Sequence, residues 1–348
     1  MTNETAFTIP PGLLPWLGSL GTGGEGPLSP FLAGEVRPPD TAEKERLHAG
    51  GVIVARGGAA ARIRPTLGAL ANPAAAVAVR LSSGEEYYEH TAFLSADGTR
   101  SVLLTTVGSE VLVRDPAPVE EILEGVRQYV GDSVLRAPRF EAELDPEEAL
   151  ALAAVVDLHR RALFGAYAGD TPFTRPILGP AKIAAAAEST TNGLQWLVDV
   201  VKLVGGADRL TPAALDRLVR SGHLRKEKGG FALADEAALL AERLLVVESV
   251  LALEAVRAEP GTTTLQRLNL LCLQAGIHDL LSIESVAGRL RFECLSGAAV
   301  LVYLRHLLTE PGALAPGEET AIACPSCGEP AQAGTKFCRK CGTALPLP

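Results

Sequence analysis

Four of the six cysteines lie near the end of the chain, in two pairs with the same internal spacing. Cys324 and Cys327 form the first Cys-x-x-Cys pair, and Cys338 and Cys341 form the second pair after ten intervening residues. A Cys-x-x-Cys turn supplies two thiolates from one tight bend, so two such turns can place four sulfurs at the corners of a tetrahedron. This spacing predicts that the segment binds one Zn²⁺ ion.

The residues beside the two pairs agree with a zinc site. Gly328 and Gly342 directly follow the second cysteine of each pair, where the chain must turn back close to sulfur. Lys336, Arg339 and Lys340 can offset the negative charge that four thiolates leave on Zn²⁺. Because protein thiolates fill all four positions, we expect a structural metal, with no place for a water or a substrate. The alternative is two disulfides or four unrelated cysteines.

Residues 323–348 resemble the short zinc-ribbon modules at the ends of many bacterial and archaeal proteins, because the Cys-x-x-Cys-Gly pattern occurs twice. The resemblance implies a binding or scaffold module and does not indicate what is bound. Residues 309–322 form a linker rich in Pro, Gly and Glu, which should span roughly 20 Å if it is flexible.

The rest of the chain lacks the short motifs of common catalytic sites. It contains no Gly-x-Ser-x-Gly elbow, no phosphate-binding Gly-x-x-x-x-Gly-Lys-Ser/Thr and no His-Glu-x-x-His. His159 lies near Asp157, but a packed histidine is the simpler interpretation, and Cys272 and Cys294 are predicted to be packed thiols without a neighbouring base. No catalytic residue is assigned, so we expect a protein that is not an enzyme. The alternative is an enzyme whose site lies between two main domains.

Length, composition and charge limit the class of protein. A chain of 348 residues, 47% hydrophobic and 21% charged, is long enough for two larger domains and the ribbon. The net charge of −9 argues against general affinity for nucleic acids or anionic membranes. The beginning of the chain lacks the basic region of a signal peptide, and no uncharged apolar run is long enough to insert in a membrane. We therefore expect a cytoplasmic location, where thiols stay reduced.

The first part of the chain predicts an α+β domain. Residues 1–40 are rich in Gly and Pro and read as an irregular N-terminal arm. Within 41–144, two short helices precede four strands near 76–82, 86–94, 101–107 and 110–114, whose separators suit the turns of an antiparallel meander. A helix with one apolar face should then pack on this sheet, through Val119, Ile122, Leu123, Val126 and Val130.

The order of these elements over about 41–130 resembles the first half of EspG-like chaperones of mycobacterial type VII secretion. The features that carry the resemblance are a helix followed by Gly51-Val52-Ile53, a second helix before Ala71-Asn72-Pro73, the meander, and the helix after Asp115-Pro116. The resemblance implies a secretion-related chaperone that binds another protein. The second half of the chain and the ribbon depart from the family, which leaves this function open.

Residues 145–308 are predicted to form a mainly helical domain. Asp145 can cap a helix that Pro146 begins. Further helices are predicted for 181–204, 235–258, 263–275 and 298–308, with one strand at 289–293. The segment around 190–258 resembles a winged-helix domain, because a helix after Thr211 is followed by a hairpin at Lys228-Gly229-Gly230 and another helix.

Five basic residues in that segment are candidates for contact with a nucleic acid or a partner protein: Arg217, Arg220, Arg225, Lys226 and Lys228. Acidic residues are interspersed among them, and few Asn or Gln residues stand beside them to read bases. We therefore expect an adaptor or scaffold that binds another protein. A DNA-associated regulator is the alternative, and the sequence leaves the oligomeric state open.

Overall fold

The computed structural model describes residues 4–21, 25–84, 86–135, 139–189, 193–205, 207, 209–258, 265–276, 278–286 and 288–310, together with the backbone of 322–323 and 330–331. The four predicted zinc ligands and most of the linker lie outside these residues. The fold is described from the remaining elements, in chain order.

The first half of the chain runs from an edge strand to a helix and contains five strands of the sheet. Its elements are β1 (Thr5–Ile9), α1 (Leu14–Gly18), α2 (Thr41–Ala49), α3 (Arg64–Ala71), β2 (Ala75–Ser83), β3 (Glu86–Leu94), β4 (Ser101–Val107), β5 (Glu110–Asp115) and α4 (Val119–Val130). The predicted helices and the meander within 41–144 are thereby confirmed, with strand boundaries that differ by a residue or two.

The second half contains more strands than the sequence predicts. Its elements are β6 (Glu141–Leu144), α5 (Pro146–Ala168), α6 (Pro180–Glu188), α7 (Leu197–Val204), α8 (Pro212–Arg220), β7 (Leu224–Glu227), β8 (Gly230–Leu233), α9 (Asp235–Arg243), β9 (Ser249–Ala258), β10 (Leu265–Gln274), β11 (Leu280–Val286), β12 (Arg289–Leu295) and α10 (Gly297–Thr309). Asp145 and Glu148 form a capping box at the start of α5.

A single antiparallel sheet of ten strands runs through both halves, in the order β1-β5-β4-β3-β2-β9-β10-β11-β12-β6. The central neighbours β2 and β9 join the halves. Each half repeats one order of elements: an edge strand, a group of helices, a four-stranded meander and a closing helix that lies beside its counterpart, α4 beside α10. The second half adds the β7–β8 hairpin within its helical group.

Helices cover the two faces of the sheet differently. On one face, α4 and α10 pack over the central strands and bury Val77, Val79, Leu251 and Leu253. On the opposite face, α1 and α3 pack over strands of the first half, and α5 and α7 pack over strands of the second half. The two helical groups on this face therefore stand on either side of β2 and β9.

Two predicted helices are wrong. Residues 249–258 form β9 instead of the end of a helix, because α9 ends at Arg243, and residues 265–274 form β10. The sequence of β9 is rich in Leu, Ala and Glu, residues with high helix propensity. Its backbone pairs with β2 on one side and β10 on the other, so tertiary pairing overrides the local preference. The segment 145–308 is accordingly mixed helix and sheet and not mainly helical.

The first 40 residues also differ from the predicted irregular arm. Thr5, Phe7 and Ile9 are buried, and Phe7 and Ile9 pack in the core with α1 and α3. The residues between them are exposed, so β1 has the alternation of a strand with one buried face. Leu13 and Leu17 are fully buried in the same core. The density of Gly and Pro conceals this short apolar alternation.

A candidate interaction groove on the sheet

The middle of the sheet carries a polar strip on the face between the two helical groups. Ala76 packs against the core of the first helical group, and Val250 and Ala252 pack against the core of the second. In the β2–β9 register, Ala78 lies opposite Glu254 and Arg80 opposite Ala252, so all of these residues share one face. The strip between the two helical groups is called the central groove, and its polar floor consists of Tyr87, Glu89, Arg80, Glu254 and Arg267.

Charges of alternating sign cross the floor from β3 to β10. The Tyr87 hydroxyl donates to Glu89 over 3.1 Å, and the Arg80 guanidinium donates to Glu89 over 2.6 Å. Arg80 also donates to Glu254 over 3.2 Å, and an Arg267 nitrogen lies 3.6 Å from the other Glu254 oxygen. The arrangement is a continuous polar chain over four strands.

The polar side chains of the groove floor are charged, their charges balance, and they are partly exposed to solvent. Burial opposes the charge of Arg80, but hydrogen bonds to Glu89 and Glu254 outweigh it and raise the pKa of the guanidinium. The Arg80 side chain is 38% exposed and that of Arg267 is 60% exposed, so a partner could reach both. Because two arginines offset two glutamates, the floor lacks the positive excess that binds phosphate backbones. A protein surface with matching polar groups suits it better.

A buried polar cluster anchors the second helical group beside the groove. The Asp157 carboxylate on α5 accepts hydrogen bonds from the backbone N–H groups of Leu197 and Val198 at the start of α7, over 3.0 and 2.9 Å. Arg160 lies 3.2 Å from Asp157 and donates to the Leu245 carbonyl, just before β9. Both side chains are almost fully buried. The spacing of Asp157 and Arg160 within an apolar helix was the available sequence signal.

The five predicted contact residues lie on α8, β7 and the following turn, away from the central groove, and most are engaged by carboxylates. Arg217 donates to Glu148 over 2.7 Å, and Glu147 lies 3.4 Å from the same guanidinium. These bonds connect α8 to the first turn of α5, so Arg217 has a structural role.

The other members of the set are at the surface. Arg225 pairs with Asp235 at 3.3 Å and Lys226 with Asp216 at 3.4 Å, while Arg220 donates to the backbone carbonyl of Asp216. Within the described residues, Arg220 and Lys228 have no ion pair, whereas Arg217, Arg225 and Lys226 do. The acidic partners offset much of the positive charge that the sequence displays.

The predicted zinc ligands Cys324, Cys327, Cys338 and Cys341 lie outside the described residues. Near them, the backbone of 322–323 pairs with that of 330–331 as a small antiparallel sheet. Four thiolates are a ligand set suited to tetrahedral zinc. The remaining cysteines, Cys272 and Cys294, are buried, and burial raises the pKa of the Cys272 thiol to about 12.

Among the residues that the structure describes, no three His, Cys, Asp or Glu side chains are grouped so that they could hold a metal ion. His159 is buried, with Nε2 3.7 Å from Glu242. Within the same described part of the chain, no helix has both the length and the apolar character needed to cross a bilayer.

A family model described as a zinc-ribbon domain matches residues 324–345, which include all four predicted ligands. The predicted ribbon is thereby confirmed as a domain, and this family implies zinc binding. The match is confined to the C-terminal segment. No match to a curated protein was found.

One solved structure similar to the chain is the Mycobacterium tuberculosis type VII secretion system chaperone EspG5 in complex with a PE25–PPE41 dimer. The identity is 13%, the alignment covers 90% of this chain and 99% of that chain, and the TM-score is 0.48. A TM-score below 0.5 does not establish a shared fold. Neither match is to a winged-helix domain, and the helix, hairpin and helix at 212–243 receive no support from them.

Proposed function

We propose that this protein is a non-enzymatic adaptor that holds another protein in the central groove and carries a structural zinc ribbon as a second contact module. The observation that carries the proposal is the polar chain across β3, β2, β9 and β10, which lies between the two helical groups and presents balanced, partly exposed charges. A secretion-related chaperone is the specific form of adaptor that we propose, and the identity of the partner tests it.

The shape of the groove suits an element of folded protein. On this face of the sheet, α1 and α3 pack on one side of the groove and α5 and α7 pack on the other. A helix or hairpin bound in the groove would therefore contact the sheet and both helical groups. Tyr87 is 62% exposed at one end of the polar chain, and aromatic residues of this kind often dominate binding at protein interfaces. Arg80 and Arg267 can donate hydrogen bonds to carboxylates, while Glu89 and Glu254 can accept them from basic groups, so the groove selects a partner by the pattern of its charges and not by net charge.

The alternative function, a DNA-associated regulator, has less support. Its candidate residues are largely paired with Glu147, Glu148, Asp216 and Asp235. Neutralised side chains release few counterions from DNA and give weak binding. An enzyme between two domains has less support as well, since the carboxylates of the groove floor are engaged by Arg80 and Arg267 in ion pairs.

The test is site-specific photo-cross-linking in lysate of the native cell, with a photoreactive amino acid at position 87 on the groove floor or at position 127 on α4. Arg127 lies on the solvent side of α4, on the other face of the sheet, and pairs with Glu124, which makes it a matched control. We expect a protein cross-linked from position 87 and not from 127, unaffected by nuclease. The complex should be lost in Arg267→Glu and retained in Arg127→Glu.

Equal cross-linking from positions 87 and 127, or equal binding by the two charge-reversal variants, would contradict the assignment of the groove. Loss of the cross-linked product after nuclease treatment would shift the proposal to nucleic acid. A captured protein unrelated to secretion would retain the adaptor and exclude the chaperone of secretion.

A further inference from the structure

The strand β1 forms one edge of the sheet and pairs on one side only. Its residues Thr5–Ile9 are in register with Val111–Asp115 of β5. In the described part of the chain, no backbone hydrogen bond connects β1 to any other segment. An edge of this kind offers a row of N–H and C=O groups that can bind a further strand.

The two edges of the sheet are protected differently, although β1 and β6 hold equivalent places in the two halves. The strand β6 has exposed Glu141 and Glu143, and Arg289 of the neighbouring β12 lies 3.5 Å from Glu143. Charges of this type discourage the addition of strands. By contrast, β1 has the sequence Thr-Ala-Phe-Thr-Ile, with no charge and no proline.

A slot accompanies the unprotected edge. Residues of β1, β5 and α2 line a cavity of about 320 Å³, with Phe7, Leu47 and Val52 among its apolar lining residues and Ala6 and Thr8 contributed by the exposed positions of β1. An ion pair of 3.1 Å between Arg46 and Glu110 lies in the same lining. The volume is sufficient for a few aliphatic side chains.

We propose that the β1 edge binds an extended segment of a partner protein, which adds to the sheet as an eleventh strand. The free backbone groups recognise an extended main chain, and the apolar side of the slot recognises aliphatic residues at alternate positions. Because α2 stands beside the edge, the slot admits a single strand more easily than the edge of a second sheet with its own flanking helix. The occupant is therefore a peptide segment and not a second copy of this chain.

This site is separate from the central groove. Two strands, β5 and β4, lie between β1 and β3, the nearest strand of the groove floor, which corresponds to about 14 Å across the sheet. Binding at one site can therefore be lost while binding at the other is retained. The inference depends on the geometry of the edge and does not require the groove to be correct.

The experiment uses a labelled peptide with the sequence Glu-Val-Leu-Val-Arg-Asp, which is that of β5, the strand that β1 already accepts on its inner side. Fluorescence anisotropy measures its binding to the full chain, and hydrogen exchange followed by mass spectrometry measures protection of residues 5–9. Two control peptides have the same side chains with N-methyl groups on alternate amides, in the two possible phases. The protein variant is Ala6→Glu/Thr8→Glu, which gives β1 the charges that β6 has.

We expect saturable binding, added protection of the 5–9 segment, and at least a tenfold loss of affinity for one N-methylated peptide and for the double-glutamate variant. The Arg267→Glu variant should bind the peptide as the wild type does. Equal binding of all three peptides would overturn the proposal, and so would an unchanged exchange rate at residues 5–9. If light scattering shows a dimer whose β1 amides are already protected, the occupant is a second copy and the proposal is wrong.

Discussion

Val79 of β2 lies directly opposite Leu253 of β9, at the midpoint of the paired segment that joins the two halves of the sheet. Both side chains are buried beneath α4 and α10, and neither half of the chain contributes this core alone. The pair is therefore the structural centre of the molecule. Its contacts make the stability of each half depend on the other.

Leu253→Ala should destabilise both halves together. Removing a buried leucine side chain usually costs about 2–5 kcal/mol, because it leaves a cavity. We expect a single urea unfolding transition, followed by both circular dichroism and tryptophan fluorescence, shifted to lower denaturant. Leu239→Ala, at an exposed position of α9, is the control and should shift it little. Two separated transitions would show that the halves fold independently.

Removal of the zinc ion should make the four predicted ligand cysteines, of the six in the chain, reactive towards a thiol reagent. We expect one zinc ion per chain by atomic absorption, and four thiols that react with Ellman's reagent after chelation of the metal. Cys272 and Cys294 should react only after unfolding, since both are buried. Cys338→Ser should remove the zinc and leave the melting of the main fold unchanged, because the sequence predicts a linker at 309–322 between the ribbon and the sheet. Reaction of all six thiols in the native protein would contradict the buried assignment.

Breaking the Asp157–Arg160 pair should be costly. Either Asp157→Asn or Arg160→Met leaves one buried polar group without its partner, and we expect a loss of about 3–5 kcal/mol in the free energy of unfolding. The double variant should lose less than the sum of the two, which a double-mutant cycle from urea titrations would measure. Strict additivity would mean that the two side chains act independently.

Stability should fall in mild acid through His159. Burial lowers the pKa of this imidazole, against the opposing effect of Glu242 and with the help of Arg175. The unfolded chain therefore takes up a proton near pH 6.5 that the folded chain does not, so stability is lost as the pH falls below this value. The slope is at most about 1.4 kcal/mol per pH unit for one group.

The variant His159→Phe should flatten that dependence between pH 7.5 and 5.5 in urea titrations. His48→Gln, at an exposed position of α2, should leave it as in the wild type. An identical pH profile for His159→Phe and the wild type would show that another group carries the effect.

The elements within residues 41–130 were predicted well because their sequence signals are local. Between β3 and β4, the Asp97 carboxylate accepts hydrogen bonds from the Ser95 hydroxyl and the Thr99 backbone, so the turn is encoded by a few adjacent residues. The apolar spacing of α4 likewise requires only twelve consecutive residues. Such turns and helices can be predicted without knowing where the rest of the chain lies.

The groove and the strand β9 depend on distant residues, which local patterns do not reveal. Arg80 and Glu254 are 174 positions apart, and nothing in the text around either residue indicates the other. The Leu, Ala and Glu content of β9 favours a helix until two neighbouring strands supply hydrogen bonds and burial on both sides.

The pairing of β2 with β9 also sets an order of events during synthesis. About 175 residues separate the end of β2 from the end of β9. At roughly 5–20 residues per second, the first half would wait on the order of ten to thirty seconds on the ribosome before its partner strand is complete. During that interval the apolar residues Val77, Val79 and Leu81 of β2 lack the β9 and α10 side chains that bury them in the complete fold.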